Sequence, residues 1–134
     1  MLRALSAVAL CAALTTTTAT AADNKFAVVT VNNPTPDLTL TFDYRWGEGK
    51  WETVKALPPG RAMTFSLPLD AKGKAPGFQL KLNRAIGKAK PVIKTWNLEW
   101  KPAARAEAKL GSQYEIFRDL IEREYVWLAE VGRR

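Results

Sequence analysis

The stretch LTLTFDYRWGEGKWETVKALPPG, residues 38–60, decides the fold. Leu38, Leu40, Phe42, Tyr44 and Trp46 alternate with Thr39, Thr41, Asp43 and Arg45. Successive strand residues point to opposite faces, so this period of two predicts a half-buried β-strand with one apolar and one polar face. Gly47-Glu48-Gly49 follows with turn chemistry, and Trp51 to Leu57 predicts the returning strand. Pro59-Gly60 then suits the two central positions of a type II turn.

Two registers compete for this hairpin. A four-residue loop, Gly47 to Lys50, sets Trp46 opposite Trp51, Arg45 opposite Glu52 and Phe42 opposite Lys55, a poor match on a core face. A three-residue loop, Gly47 to Gly49, sets Phe42 opposite Val54, Leu40 opposite Ala56, Asp43 opposite Thr53 and Arg45 opposite Trp51. It places Gly49 in the left-handed position of a bulge. A one-residue slip moves a whole strand's side chains to the other face, so the second register, with the more consistent faces, is preferred. It leaves Tyr44 and Trp46 on the core face and stacks Trp51 against Arg45 on the outer face. It also sets Asp43 and Glu52 on opposite faces.

Working outward, Phe26 to Val31 is a second β-branched run, separated from the hairpin by Asn32-Asn33-Pro34-Thr35-Pro36, which reads as a turn. Ala62 to Leu67, Phe78 to Leu82 and Val92 to Trp100 alternate in the same way, with Lys/Gly/Pro loops between them. Trp96, Leu98 and Trp100 share one face and read as core, and Trp127, between Val126 and Leu128, reads as buried. Residues 113–129 are ambiguous. Tyr114, Phe117, Ile121, Tyr125 and Leu128 form a helical stripe, but the segment also reads as two strands, Gln113 to Arg118 and Glu124 to Ala129. The fold class expected is all-β, an antiparallel sandwich of seven or eight strands.

The N-terminus predicts export. Arg3 precedes an uncharged apolar run, Ala4 to Leu14, and Ala19-Thr20-Ala21 supplies the small residues a signal peptidase accepts. The run is too short for a membrane span. Residues 1–21 are therefore expected to be a signal peptide, and residues 22–134 one domain. A lipoprotein signal needs a small residue before Cys11, where Leu10 stands. A buried N-terminal helix would need a polar face that the segment lacks.

Cys11 is the only cysteine and leaves with the signal, so the domain must stand on packing without disulfides. The chain has no histidine. Cys/His zinc sites, histidine triads and cysteine nucleophiles are thereby excluded, and no cofactor is expected. A formal charge of +7, or +6 once Arg3 is removed, points to anionic neighbours. For an exported protein these are envelope polysaccharide, lipid head groups or another anionic surface rather than nucleic acid. Plain solubility explains the charge equally well.

The segments VNNPT, TFDYRWGEGKWETVKALPPG, TWNLEW and YEIF together resemble a family of small exported bacterial domains of unknown function. The shared features are an Asn-rich start, an aromatic-Arg-Trp-Gly hairpin, a Leu-x-Pro-Gly turn and a closing Tyr-x-Phe strand pair. Tyr114-Glu115-Ile116-Phe117 departs from that last spacing by one residue. The resemblance implies an immunoglobulin-like sandwich with strands at the C-terminus. It implies no activity.

Two groups of residues stand out as candidate contacts. Arg45 and Trp51 form either a flat platform for a sugar ring or an ordinary cross-strand pair that covers the sheet. From Ala71 to Leu98 there is no acidic residue, while Lys72, Lys74, Lys81, Arg84, Lys88, Lys90 and Lys94 fall within it. These cations are expected along one edge of the sandwich, either meeting a polyanion or guarding the edge against strand-to-strand association. They lack the interleaved aromatics of nucleic-acid readers. The sequence thus predicts a non-catalytic binding or structural domain of the cell envelope. A carboxylate-dependent hydrolase would need two acids facing one groove, and an inhibitor or accessory subunit an exposed apolar patch.

Overall fold

A computed structural model describes residues 24–132. The expected signal, residues 1–21, and its cleavage site lie outside the described residues. The fold is all-β. Its strands are β1 (Phe26–Asn32), β2 (Leu40–Trp46), β3 (Glu52–Leu57), β4 (Ala62–Pro68), β5 (Phe78–Asn83), β6 (Ile93–Leu98), β7 (Lys101–Ala103), β8 (Ser112–Arg118) and β9 (Val126–Glu130). A single 3-10 turn, Ala108–Leu110, is the only helical element among the described residues. Of the two readings of residues 113–129, the chain therefore adopts the strand pair. Tyr114↔Glu130 to Arg118↔Val126 pair as an antiparallel hairpin, which buries Ile116, Val126 and Leu128 together.

The strands form two sheets. One runs β4-β1-β8-β9, with β7 also paired to β1, and the other runs β3-β2-β5-β6. The first sheet is mixed rather than antiparallel throughout. One side of β1 is divided: Phe26–Val28 pair antiparallel with β7, and Val29–Asn32 pair parallel with β8. The chain reverses between those two partners through the 3-10 turn. Gly111 makes the reversal possible, because a Cβ there would stand 2.7 Å from Val28 Cγ1 and 3.0 Å from its backbone carbon. The same turn covers the outer side of β1, where the Thr30 hydroxyl donates to the Ala108 carbonyl at 2.7 Å. Covered on both faces, Ala27 to Val31 are all buried, and the segment is apolar on both faces except at Thr30, whose hydroxyl is satisfied by Ala108 O.

Both sheets contribute to one core. Val29, Val31, Phe65, Ile116 and Leu128 from the first meet Phe42, Val54, Phe78, Leu80 and Leu98 from the second. Phe65 bridges the layers, with its ring 4.4 Å from Tyr44 and 5.2 Å from Phe78. Trp46, Trp96 and Trp100 are half-buried and pack on this core.

The hairpin adopts Phe42↔Val54, Asp43↔Thr53 and Tyr44↔Glu52, the register of the shorter loop. Two details differ from expectation. Leu40 pairs with Leu57, not Ala56, because a bulge intervenes, and the Thr41 hydroxyl donates to the Lys55 carbonyl at 2.8 Å beside it. The bulge turns the larger side chain inward: Leu57 is buried and Ala56 exposed. The left-handed residue is Gly47 (φ 59°) rather than Gly49. Gly49 N–H closes a turn onto Trp46 O at 3.1 Å, while Gly47 N–H donates to Gly77 O at 2.6 Å. A side chain at Gly47 would collide with Pro76, with Cβ at 2.8 Å. The Pro59-Gly60 turn forms with Gly60 at φ 73° and Arg61 N–H donating to Pro58 O at 3.2 Å.

Asn33, read as turn chemistry, is a core residue with 1% of its surface exposed. Its amide donates to Leu38 O at 2.8 Å and Leu57 O at 2.9 Å, and its oxygen accepts from the Thr35 N–H at 3.1 Å and hydroxyl at 2.6 Å. Its backbone is also engaged, donating to Arg61 O and accepting from Gly60 N–H. One side chain thus ties the β1–β2 connection to the end of β3.

Candidate functional site

The outer face of the second sheet carries rows of polar side chains set by register. Arg45 pairs with Gln79, and Gln79 with Asn97, in one row; Thr53, Asp43, Lys81 and Thr95 form the next. Arg45 Nε donates to Gln79 Oε1 at 2.8 Å, and Gln79 Nε2 to Asn97 Oδ1 at 2.8 Å. Thr53 donates to Asp43 at 2.8 Å. Trp51 is half-buried at the end of the first row.

Two cations stand over the Trp51 ring. The Arg45 guanidinium carbon lies 4.5 Å from the ring centroid and Lys81 Nζ 4.2 Å. Ring quadrupoles attract cations by about 0.5–1 kcal/mol at exposed sites, so each cation has reason to rest there. Among the described residues neither forms an ion pair. Asp43, the cross-strand neighbour of Lys81, is turned to Thr53. The register places Glu52 beside Tyr44, on the face opposite Asp43. A shallow hollow of about 240 Å³ adjoins Arg45, Gln79 and Asn97.

The seven cations of the basic stretch do not share one edge. Lys81 lies on β5, an inner strand flanked by β2 and β6, because it belongs to the Trp51 face. Lys72 and Lys74 are exposed in the β4–β5 connection, with their backbone N–H groups bound to Asp70. Lys88 and Lys90 are exposed in the β5–β6 connection, and Lys94 lies on the edge strand β6. Arg84 follows β5 and crosses to the other sheet: Arg84 O accepts from Val126 N–H at 2.8 Å and Arg84 Nε donates to Val126 O at 2.9 Å.

That crossing assembles a second aromatic and cationic group, which the sequence reading did not single out. The Arg84 guanidinium lies 4.3 Å from the Trp127 ring centroid and 3.6 Å from Asp119. Lys94 stands between Trp96 and Trp127, at 5.5 and 5.6 Å. The two indoles meet edge to face at 5.8 Å. Trp127 is consequently half-buried rather than buried, since it points away from the core that holds Val126 and Leu128. The available signal was alternation: if Val126 and Leu128 face inward, Trp127 must face out.

Asp119 shapes the β8–β9 connection. Its Oδ1 accepts from the N–H groups of Ile121 at 2.8 Å and Glu122 at 3.1 Å. These two amides hold its carboxyl below the usual aspartate range, with the Arg84 charge adding to the effect. Burial pushes the Tyr114 phenol up, although its oxygen accepts from Glu99 N–H at 2.9 Å. No three His, Cys, Asp or Glu side chains are grouped as a metal site among the described residues, and no described helix is long and apolar enough to cross a membrane. No protein-family model matches the sequence, and neither a curated protein nor a solved structure matches the chain.

Proposed function

We propose that the chain is an exported, non-catalytic binding domain of the bacterial cell envelope, an immunoglobulin-like sandwich released from its signal peptide into the periplasm or outside the cell. Its ligand is an acidic envelope polysaccharide, held on the outer face of the second sheet. The observation that carries this reading is the Trp51 ring with both Arg45 and Lys81 over it and no carboxylate paired to either among the described residues. Neutral sugars stack on a bare aromatic face, and here cations occupy that space. A carboxylate or sulfate on a sugar would instead meet two pre-placed positive charges, with Gln79 and Asn97 alongside as hydrogen-bonding groups.

Titration of the protein with an acidic polysaccharide and with a neutral glucan at low salt tests this. The acidic polymer should bind and the neutral one should not, and added salt should weaken the complex. The Arg45→Ala, Trp51→Ala double variant should lose about tenfold in affinity, about 1.4 kcal/mol. Absence of binding to any acidic polymer at low salt, or full retention by the double variant, overturns the reading.

A further inference from the structure

One end of the domain presents apolar side chains that the Trp51 face leaves unexplained. Leu120 is 70% exposed and Ile121 89% exposed, side by side at the tip of the β8–β9 connection. Two aliphatic neighbours this open to water are unusual at a turn, where polar residues serve equally well. The loop does not leave them free to fold inward. Asp119 holds the Ile121 and Glu122 amides, Asp119 N–H donates to Tyr125 O at 2.8 Å, and Tyr125 N–H donates to Glu122 O at 2.9 Å. Arg118 braces the loop further by donating to Arg123 O at 3.0 Å. The turn is built to hold Leu120 and Ile121 outward.

The basic β5–β6 connection lies at the same end. Ile86 N–H donates to Glu124 O at 2.8 Å, and Tyr125 OH donates to Lys90 O at 3.3 Å. This sets the connection that carries Lys88 and Lys90 at the same end of the domain as the apolar tip, with Lys94 beside Trp127 and Arg123 in the β8–β9 connection itself. Arg84 and Arg118 are paired with Asp119 and Asp37. Glu122 and Glu124 are the opposing carboxylates, so the unpaired charge of this end is four cations against two acids. Behind the tip, Trp127 and Phe117 line a hollow of about 420 Å³ with Leu120 and Ile121.

We infer that this end docks on an anionic lipid bilayer, with Leu120 and Ile121 entering the acyl boundary and Lys88, Lys90, Lys94 and Arg123 meeting the head groups. Three features favour a bilayer over a protein partner. The apolar residues project from a loop rather than pave a face. A few aliphatic side chains fall far short of the roughly 1,200 Å² that a stable protein interface buries. The surrounding charge is of the sign that acidic head groups attract, and Trp127, an amphipathic ring of the kind favoured at a membrane interface, lines the hollow behind Leu120 and Ile121. This inference is independent of the polysaccharide reading, because it uses none of the Trp51 face.

The test uses the full chain carrying Cys11→Ser and Ile121→Cys, labelled at residue 121 with an environment-sensitive fluorophore. Vesicles of mixed phosphatidylglycerol and phosphatidylcholine should shift the label's emission to the blue, and quenchers fixed on the acyl chains should quench it. Pure phosphatidylcholine vesicles should bind more weakly, and high salt should weaken binding to the anionic ones. In co-sedimentation, the unlabelled Leu120→Ser, Ile121→Ser variant should bind anionic vesicles about tenfold more weakly per removed aliphatic side chain. Both side chains are exposed, so its thermal unfolding should match the parent. Any N-terminal contribution to binding is shared by the two chains. A label that stays in water, equal binding by the serine variant, or equal affinity for neutral and anionic vesicles overturns the inference. So does a chain that leaves vesicles alone but dimerises through the tip, shown by a sedimentation shift that the serine variant abolishes.

Discussion

Replacing Asn33 tests the core most directly. In Asn33→Ala, Leu57 O loses the 2.9 Å donor that the side chain gave it, and Thr35 N–H loses its acceptor. Leu38 O regains a partner, because the Thr35 hydroxyl, released from Asn33 Oδ1, stands 3.3 Å from it and can donate there instead. Two buried groups are left unsatisfied, at about 1–3 kcal/mol each, so a loss of about 3 kcal/mol is expected. With a urea dependence of about 1–1.5 kcal/mol per molar for a domain of this size, the midpoint should fall by about 2–3 M. The native tryptophans report the transition by fluorescence. Asn33→Asp sharpens the test, since a carboxylate oxygen would face the Leu38 and Leu57 carbonyls in place of the amide N–H groups. The folded state then favours the protonated acid, which raises its folded pKa above the unfolded value of about 3.9. Stability from such a group is present below the unfolded pKa and is lost as pH rises through the folded one. The aspartate variant should therefore be closer to the parent at pH 4 than at pH 7. A midpoint within 0.5 M of the parent for Asn33→Ala, or no pH dependence for Asn33→Asp, would refute the assignment of Asn33 as a hydrogen-bonded core post.

Two further outcomes follow from the geometry. Gly111→Ala should destabilise the domain by about 1–3 kcal/mol through overpacking against Val28, measured by the same urea titration, while Gly77→Ala, with open space around it, should not. Asp119→Ala should speed hydrogen exchange at the Ile121 and Glu122 amides. Because the Asp119 pKa is lowered, its hold on the loop is present above the usual aspartate pKa and lost as pH falls through the lower folded value. Titrating the parent downward from about pH 4 should therefore loosen the loop progressively, read from the chemical shifts of those amides.

The period-two pattern of Leu38 to Trp46 carried most of the fold, because alternation reports which residues face a core whatever the partner strand. It carried the hairpin register as well, since only one pairing set apolar residues against apolar residues at Phe42 and Val54. It could not show the bulge that exchanges Ala56 for Leu57, which depends on the volume available between the sheets. The choice of Gly47 over Gly49 as the left-handed residue depends on Gly77 and Pro76, which approach from a distant part of the chain. Asn33 was legible as a loop residue but not as a core one, because its partners at Leu38 and Leu57 come together only after β2 and β3 pair. The parallel contact of β1 with β8 has no local signature at all. The candidate contacts divide likewise: Arg45 beside Trp51 is a hairpin neighbour, whereas Lys81 reaches the same ring from another strand.

The divided side of β1 also sets an order of events in time. β1 is made well before β8, yet Val29 to Asn32 have no neighbour on that side until Ser112 to Glu115 have been synthesised. Pairings this distant in sequence form slowly, because the loop must close before any contact rewards it. The second sheet can assemble from hairpins while the first stays open at its centre. A chain in which β8 completes the sheet that β1 begins cannot finish that sheet until Ser112 to Glu115 have been made. Such a delay would suit the export proposed for this domain.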